Sequence, residues 1–386
     1  MPTLLVRRKP DSGLGNIRSS PAAPSRNVDW ALLGAQAALT VIGCFVVYSA
    51  SRTRRDDPFY FATRQVIFAI VATIVLAIVM FVDYDWFRHR AWQLYVATVG
   101  ALVLILAYGE LSGSDTISFD VGPIRFQPAE LAKLTVLVAL AAYLSDERSD
   151  EVSYPRFLGG LIIVGVAGVA VIAQPDIGTA SVLVAMAMGV LLVAGAKARY
   201  IAAFTFLALA TVAAALIGRL VNDYQLTRVR VLFDENNPDA RIQDAAYQVN
   251  LALQALGTGG VFGKGWLNGP LTNNADIPVL WADFPFAAVG EQFGLVGCAV
   301  LLGLYGIALL RIWRIAHLSR DRFGTYVCAG VFTMLVWQIV QNVGMTMKLL
   351  PVTGLPLPFI SYGGSGLIVW FAMFGLVQSV HMRRMR

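Results

Sequence analysis

The stretch "YFATRQVIFAIVATIVLAIVMFV", residues 60–82, decides the fold class of this chain. After Arg64 it contains no charged residue, and as one helix it is long enough to cross the roughly 30 Å hydrocarbon core of a bilayer. The segment therefore predicts a transmembrane helix.

Similar apolar segments recur along the whole chain. Of its 386 residues, 57% are hydrophobic and only 14% are charged, whereas a soluble domain has about 25% charged residues. We therefore expect an all-α, polytopic membrane protein with about ten transmembrane helices. The predicted spans are 29–50, 60–82, 91–109, 128–144, 157–174, 177–196, 199–219, 284–310, 323–346 and 359–381.

The basic residues predict the orientation of these spans. They concentrate in the N-terminal tail and in the loops on that side of the membrane, so both termini should be cytoplasmic. Residues 1–27 are rich in Pro, Ser, Gly and Arg and predict a disordered basic tail, followed by a single transmembrane domain over 28–386. The first outer loop, "SRTRRDDP" (51–58), is a basic exception. Since the basic residues lie between apolar segments, a nucleic-acid partner is not expected.

One long loop, about 220–282, falls on the outer side in this topology. Within it, apolar residues recur at helical spacing, which predicts an amphipathic helix on the outer membrane surface. These residues are Ile242, Ala245, Ala246, Val249 and Leu253.

The loop continues into "GTGGVFGKGWLNG" (257–269), a glycine-rich segment with one cation, Lys264. Its glycines do not have the spacing of a P-loop, because Thr258 stands where the first glycine is needed, or of a dinucleotide-binding turn, because Phe262 replaces the last one. A hinge beside the amphipathic helix and an anion site both remain open.

Two segments carry ionisable residues at membrane depth, where charge is costly and is often functional. In "QPAELAKL" (127–134), Glu130 and Lys133 share a helix face. They predict either a structural ion pair or a polar patch lining a substrate cavity. In "QPDIGTA" (174–180), Asp176 follows a proline and predicts a helix N-cap.

The segment "LLPVTGLPLPFISYGGSGLIV" (349–369) combines three prolines and four glycines with Ser361 and Ser365. Irregular backbone of this kind is tolerated at membrane depth only against protein or a watery cavity. It lacks the final glycine of a nucleophile elbow. No histidine falls on the predicted outer side, so Ser–His catalysis is not expected there.

In "LWADFPFAAVGEQFGLVG" (280–297), Asp283 stands at the start of a long apolar helix. Its carboxylate could cap that helix at the positive end of the dipole. It could equally act as a general base in a partly dehydrated cleft, where desolvation raises the pKa of a carboxyl group. The residues alone leave both interpretations open.

Five motifs together resemble the SEDS family (shape, elongation, division and sporulation). In chain order they are "FQPAELAKL", "QPDIGTA", "YQVNLALQALGTGGVFGKGW", "ADFPFAAVGEQFGLVG" and "LLPVTGLPLPFISYGGSG". They extend from about residue 125 to the end. The "GGVFGKGW" form looks more like the RodA branch of the family than the FtsW branch.

This resemblance implies a ten-helix peptidoglycan glycosyltransferase of the bacterial cytoplasmic membrane. Such an enzyme polymerises lipid II on the outer face and works with a class B penicillin-binding protein. The family's essential aspartate falls on Asp283, its buried charged pair on Glu130 and Lys133, and its loop lysine on Lys264. Ala282 replaces the usual threonine of the aspartate motif, and Pro285 departs from it as well.

The resulting hypothesis makes Asp283 the general base of an inverting glycosyl transfer. Lys264, Arg230, Arg241 or a divalent cation such as Mg²⁺ or Mn²⁺ would assist the leaving pyrophosphate, and no protein-built metal site is expected. The expected substrate cavity also includes Glu130, Lys133, Ser361 and Ser365. Two alternatives remain: a lipid II flippase or carrier, and a non-catalytic scaffold for the penicillin-binding protein.

Overall fold

A computed structural model describes residues 27–112, 119–121, 124–147, 151–206, 227–228, 230–232, 239–273, 277 and 279–385. Its helices are α1 (Trp30–Ser51), α2 (Tyr60–Phe81), α3 (Tyr84–His89), α4 (Ala91–Ser112), α5 (Pro128–Ser145), α6 (Tyr154–Ile172), α7 (Ile177–Val193), α8 (Ala240–Thr258), α9 (Pro270–Asn273), α10 (Leu280–Asp283), α11 (Pro285–His317), α12 (Arg322–Thr346) and α13 (Gly364–Met382). Strands β1 (Phe119–Val121) and β2 (Ile124–Phe126) form an antiparallel pair.

The helical membrane architecture is confirmed. Among the described residues, eight helices are long and apolar enough to cross a membrane, namely α1, α2, α4, α5, α6, α11, α12 and α13. Helix α7 is apolar but shorter, with 17 residues. The predicted span 199–219 is helical over 198–206, and its remainder lies outside the described residues, so the count of ten stays a prediction. The basic tail also lies outside them, except for Asn27. The small β-hairpin was not predicted.

The transmembrane helices form an inner and an outer group. Helices α5 and α13 are largely buried, whereas much of α2 and α4 is exposed. Small residues allow close helix approach, as expected in a membrane. A side chain at Gly375 would come within 2.9 Å of the Leu76 carbonyl oxygen, and one at Gly330 would collide with Leu137.

The longest helix, α11, is broken at Gly294, which has φ 64° and ψ −160°. The break removes helical partners from the next amides. Leu295 N–H donates to the Gly260 carbonyl at 2.9 Å, and Val296 N–H donates to the Val261 carbonyl at 3.1 Å. The glycine-rich segment therefore supplies the acceptors that the broken helix lacks.

The carboxylate of Glu291, which is fully buried just before this break, fixes the same segment. It accepts hydrogen bonds from Leu271 N–H at 3.0 Å and from Thr272 N–H at 2.8 Å. The Thr272 hydroxyl donates at 2.6 Å, and the Lys264 ammonium lies 3.4 Å away. Lys264 thus takes part in the attachment of the loop to α11, and both the hinge and the anion site stay predictions.

The predicted amphipathic helix exists as α8. Its residues Ile242, Ala246 and Val249 are buried, and the helix packs against α11 and α12. Part of its apolar face is therefore covered by protein, and its location on the outer membrane surface stays a prediction. Leu253, which the sequence pattern places on the same apolar face, has a side chain that is 39% exposed.

The basic loop after α1 is explained by its contacts with the outer segment. Arg52 donates to the Leu267 carbonyl at 3.0 Å, and the Thr53 hydroxyl donates to the Asn273 carbonyl at 2.7 Å. Arg54 donates to the Ile277 carbonyl and lies over the Trp281 ring, 5.4 Å from its centroid. These contacts connect the end of α1 to the segment that leads into α10.

The close packing at the α11 break predicts that Gly263→Ala destabilises the protein. Gly263 has φ +78°, and an added Cβ would lie 2.2 Å from the Gln292 carbonyl oxygen. Strain and overpacking together should cost at least about 2 kcal/mol. Thermal unfolding in detergent measures this loss. The matched control is Gly257→Ala, since nothing lies within 4 Å of its added Cβ. Equal melting temperatures for the two variants would contradict the packing described here.

Candidate active site

Asp283 is the last residue of the one-turn helix α10 and directly precedes the long helix α11. The N-cap of α11 is Phe284, and no side chain caps that helix. The interpretation of Asp283 as the cap of the long helix is therefore wrong. Pro285 occupies the first turn, where its missing N–H costs no hydrogen bond.

The backbone around Asp283 is held in place from two sides. Asp283 N–H donates to the Val279 carbonyl at 3.0 Å, and its own carbonyl accepts the Asn342 side-chain amide at 2.9 Å. Val279 itself adopts φ 53°, a left-handed conformation that costs a β-branched residue about 1–3 kcal/mol. The contacts around α10 stabilise this strained turn.

Asn342 connects α10 to the loop between α12 and α13. This fully buried residue donates a second hydrogen bond to the Leu355 carbonyl at 2.9 Å. In the same loop, Tyr362 N–H donates to the Trp281 carbonyl at 2.9 Å. The two motifs "ADFPF" and "PLPFISYGG" are therefore joined around Asp283.

The electrostatic partner of Asp283 is Arg228. Burial raises the pKa of the Asp283 carboxyl above its ordinary value, and the nearby Arg228 guanidinium opposes this rise. Arg228 reaches the same loop as Asn342: a side chain at Gly354, which has φ +69°, would lie 3.5 Å from Arg228 Nη1. The site thus pairs a desolvated carboxylate with a cation.

Sequence reasoning missed Arg228. It named Arg230 and Arg241 as the loop arginines that contact substrate, but Arg230 is exposed and the Arg241 side chain lies outside the described residues. Nothing in the spacing separates Arg228 from these neighbours. Only the approach of the loop to α10 identifies it.

The predicted ion pair in α5 is present. Lys133 Nζ lies 2.6 Å from Glu130 Oε2, with 0% and 7% of the respective side chains exposed. Glu130 faces the start of α13, because a side chain at Gly366 would lie 3.1 Å from Glu130 Oε2. The pair therefore lies beside the helix turn that contains Ser365.

The N-terminus of α7 lies beside the start of α5 and the loop before α13. Asp176 caps α7 by accepting Thr179 N–H at 2.9 Å, which confirms the predicted N-cap. Its other carboxylate oxygen accepts the Gln127 amide at 3.3 Å. Gly178 packs against residue 353, since an added Cβ would lie 3.0 Å from the Thr353 carbonyl oxygen.

The other predicted site residues are placed as follows. Ser361 is buried, and its hydroxyl accepts Leu357 N–H at 2.7 Å, so it shapes the loop before α13. Ser365 is partly exposed in the first turn of α13. Lys264 pairs with Glu291, about two helical turns beyond Asp283. Substrate contacts by these three residues stay predictions.

Comparisons with known proteins agree with this architecture. The family model FTSW_RODA_SPOVE, described as "Cell cycle protein", matches residues 30–386. Stage V sporulation protein E of Bacillus subtilis is 34% identical over 349 residues, covering 89% of this chain and 93% of that protein. Peptidoglycan glycosyltransferase MrdB of Escherichia coli K12 is 33% identical over 351 residues, covering 90% and 91%.

Two solved structures share the fold. A chain from a structure described as "Structural coordination of polymerization and crosslinking by a peptidoglycan synthase complex" has a TM-score of 0.77 and 28% identity, covering 93% of this chain and 99% of that one. The crystal structure of Thermus thermophilus Rod shape determining protein RodA has a TM-score of 0.67 and 28% identity, covering 93% and 98%.

The helical fold and these relatives define a polytopic membrane enzyme of the glycosyltransferase class. The chain belongs to the FtsW/RodA/SpoVE family, the SEDS family of peptidoglycan glycosyltransferases. Its similar relatives include SpoVE, MrdB and FtsW proteins, so its assignment to the RodA branch stays a prediction.

The buried pair predicts a strongly non-additive mutant cycle. Glu130→Gln or Lys133→Met alone leaves a buried charge without its partner, which should cost about 3–5 kcal/mol. The double variant should be more stable than either single variant, because it removes both charges. Equilibrium unfolding in detergent provides the comparison. If the losses in unfolding free energy of the two single variants add up in the double variant, the two charges do not stabilise each other.

Proposed function

We propose that this chain polymerises lipid II into glycan strands with Asp283 as the general base. Family membership carries the class of reaction, peptidoglycan glycosyl transfer. The observation that supports the specific role is a partly buried carboxylate that caps no long helix and has a charge interaction with Arg228.

The reaction is a single displacement with inversion. The 4-hydroxyl oxygen of the acceptor's N-acetylglucosamine attacks C1 of the donor's N-acetylmuramic acid, and its proton passes to the Asp283 carboxylate. The bond from C1 to the pyrophosphate oxygen breaks with its electron pair, and undecaprenyl pyrophosphate leaves. One base suffices for this stereochemistry, because no glycosyl–enzyme intermediate forms.

The environment of Asp283 suits a base at neutral pH. Desolvation raises the pKa of the carboxyl group towards the operating range, which strengthens it as a proton acceptor. The Arg228 guanidinium opposes that rise of the Asp283 pKa and favours the ionised carboxylate, the form that accepts a proton. The buried rings of Phe284 and Phe286 exclude water from one side.

Charge on the leaving pyrophosphate requires a cation. Arg228 joins Arg230, Arg241 and Lys264 among the candidates, because its charge interacts with Asp283. The described residues contain no group of three Asp, Glu, His or Cys side chains placed to hold a metal. In the proposed mechanism, Mg²⁺ or Mn²⁺ would be held mainly by the substrate pyrophosphate, and the base step above is independent of it.

The location and partner follow from the same proposal. With both termini in the cytoplasm, α10 and the outer loop face the outside of the bacterial cytoplasmic membrane, where lipid II is presented. A class B penicillin-binding protein is the proposed partner, since a solved relative belongs to a complex that coordinates polymerization and crosslinking. Its transpeptidase would cross-link the new strand.

The flippase alternative needs its decisive polar groups near the membrane midplane. The buried Glu130–Lys133 pair is neutralised internally, whereas the desolvated Asp283 lies in the outer loop region. The scaffold alternative gives no reason for a desolvated carboxylate that interacts with an arginine. Both observations favour the enzyme.

Asp283→Asn should abolish polymerisation, because the amide cannot accept the proton. Loss of a positioned base lowers the rate by about 10²–10⁴-fold or more. Purified protein with its partner is incubated with lipid II in detergent, and glycan chains are resolved on a gel. Asp146→Asn is the control, since Asp146 forms an exposed surface pair with Arg88.

Three results separate the functions. Polymer from wild type and from Asp146→Asn, but not from Asp283→Asn, supports the proposed base. Equal polymer from all three would remove Asp283 from the mechanism. Vesicle translocation of lipid II that survives Asp283→Asn and requires Glu130 would favour the flippase.

A further inference from the structure

Two arginines share one aromatic ring at the outer end of α2. Arg55 Cζ and Arg64 Cζ each lie 4.5 Å from the Tyr60 ring centroid. The two guanidinium charges are therefore within about 9 Å of each other, inside the screening length of physiological salt or close to it. We call Arg55, Tyr60 and Arg64 the arginine–tyrosine cluster.

The guanidinium groups of this cluster form no direct ion pair within the described part of the chain, although Asp56 and Asp57 follow Arg55 in the same loop. Neither Arg55 nor Arg64 has a carboxylate within 4.0 Å there. Asp57, in the same loop, uses its carboxylate to accept Phe59 N–H at 2.9 Å. Two like charges held together without an acidic partner favour a bound anion.

The cluster lies at the top of a lipid-exposed stripe of α2. Ile67, Ile74 and Ile78 follow Tyr60 and Arg64 at helical spacing on the same face. Their side chains are 50%, 55% and 58% exposed, and α2 is one of the apolar membrane-length helices. An anion bound here could therefore carry a hydrocarbon chain that lies along this stripe.

The cluster is connected to the proposed active site through aromatic side chains. Arg55 Cζ lies 5.8 Å from the Phe61 ring centroid, and the Phe61 ring lies 4.9 Å from Trp281 and 5.2 Å from Tyr362. Trp281 is two residues before Asp283. A headgroup bound at the cluster is thus separated from the turn that contains Asp283 by the Phe61 and Trp281 rings.

We propose that the arginine–tyrosine cluster is a docking site for the diphosphate headgroup of the polyprenyl-linked substrate. The lipid enters from the outer leaflet along α2, and the sugar then moves past Phe61 to Asp283. Two guanidinium groups match a diphosphate, because each provides paired N–H donors for phosphate oxygens. This inference rests on the proposed function for its substrate, but it concerns binding before the chemical step.

The test measures binding of undecaprenyl diphosphate to the full-length chain in nanodiscs of phosphatidylcholine. Radiolabelled undecaprenyl diphosphate is titrated against wild type and Arg55→Gln/Arg64→Gln. We expect at least a tenfold weaker affinity for the double variant. Arg55→Lys/Arg64→Lys, which keeps the charge but loses the planar fork, should lie between the two.

Arg90→Gln is the matched control. Arg90 Cζ also lies over an aromatic ring, 5.0 Å from the Trp86 centroid, but it follows α3, on the side of the membrane that the topology places in the cytoplasm. This variant should bind as wild type does. Melting temperatures of all variants identify any that fail to fold. If the double glutamine variant does not fold, the comparison of wild type with the double lysine variant tests the proposal.

Competition identifies the ligand. Excess undecaprenyl diphosphate should displace the label, whereas phosphatidylglycerol should not. Equal affinity of wild type and the double glutamine variant would overturn the proposal. Equal displacement by phosphatidylglycerol would also overturn it, since the cluster would then bind anionic phospholipids in general.

Failure here is distinguishable from failure of the proposed function. Asp283→Asn should bind undecaprenyl diphosphate with wild-type affinity, because the docking site does not use the carboxylate. In the polymerisation assay, the double glutamine variant should raise KM for lipid II at least tenfold and change kcat less than threefold. A loss confined to kcat would contradict a docking role.

Discussion

The break of α11 at Gly294 is the constraint on which the outer half of the molecule depends. A helix that is interrupted at membrane depth exposes amides, and each amide without a partner in hydrocarbon is costly. Here the carbonyls of Gly260 and Val261 accept them, while the Glu291 carboxylate holds the next part of the same segment. The outer loop is thereby fixed to the helix that begins just after Asp283.

The arrangement of Asp283 follows from this attachment. The first turns of α11 hold α10, Asn342 joins α10 to the loop before α13, and Arg228 approaches from the long outer loop. Burial raises the pKa of this carboxyl group, and the Arg228 guanidinium opposes the rise. In the proposed mechanism, the raised pKa makes the carboxylate a stronger proton acceptor.

The altered neighbours of Asp283 are compatible with this arrangement. Pro285 lies in the first turn of α11, which is a favourable position for proline. Ala282 participates through its backbone, since its N–H donates to the Val279 carbonyl at 3.0 Å. Both residues therefore fit the backbone conformation of this turn.

Much of the fold could be predicted from the sequence, because membrane-length apolar segments have few alternative structures. The cap at Asp176 and the Glu130–Lys133 pair were also predictable, since both depend on residues three apart in one helix. Arg228 and the role of Glu291 were not, because they depend on how a long loop returns to a distant helix. The capping interpretation of Asp283 failed for a related reason: residues 280–283 form a separate turn before α11.

The most direct test of the account is the pH dependence of polymerisation in wild type and Arg228→Gln. Because Arg228 lowers the pKa of Asp283, its removal should raise that pKa further. The acidic limb of the kcat/KM profile, normalised to its own plateau, should then move to higher pH, while the exposed-residue control Arg230→Gln leaves it in place. An acidic limb at the same pH in wild type and both variants would contradict Asp283 as a base coupled to Arg228.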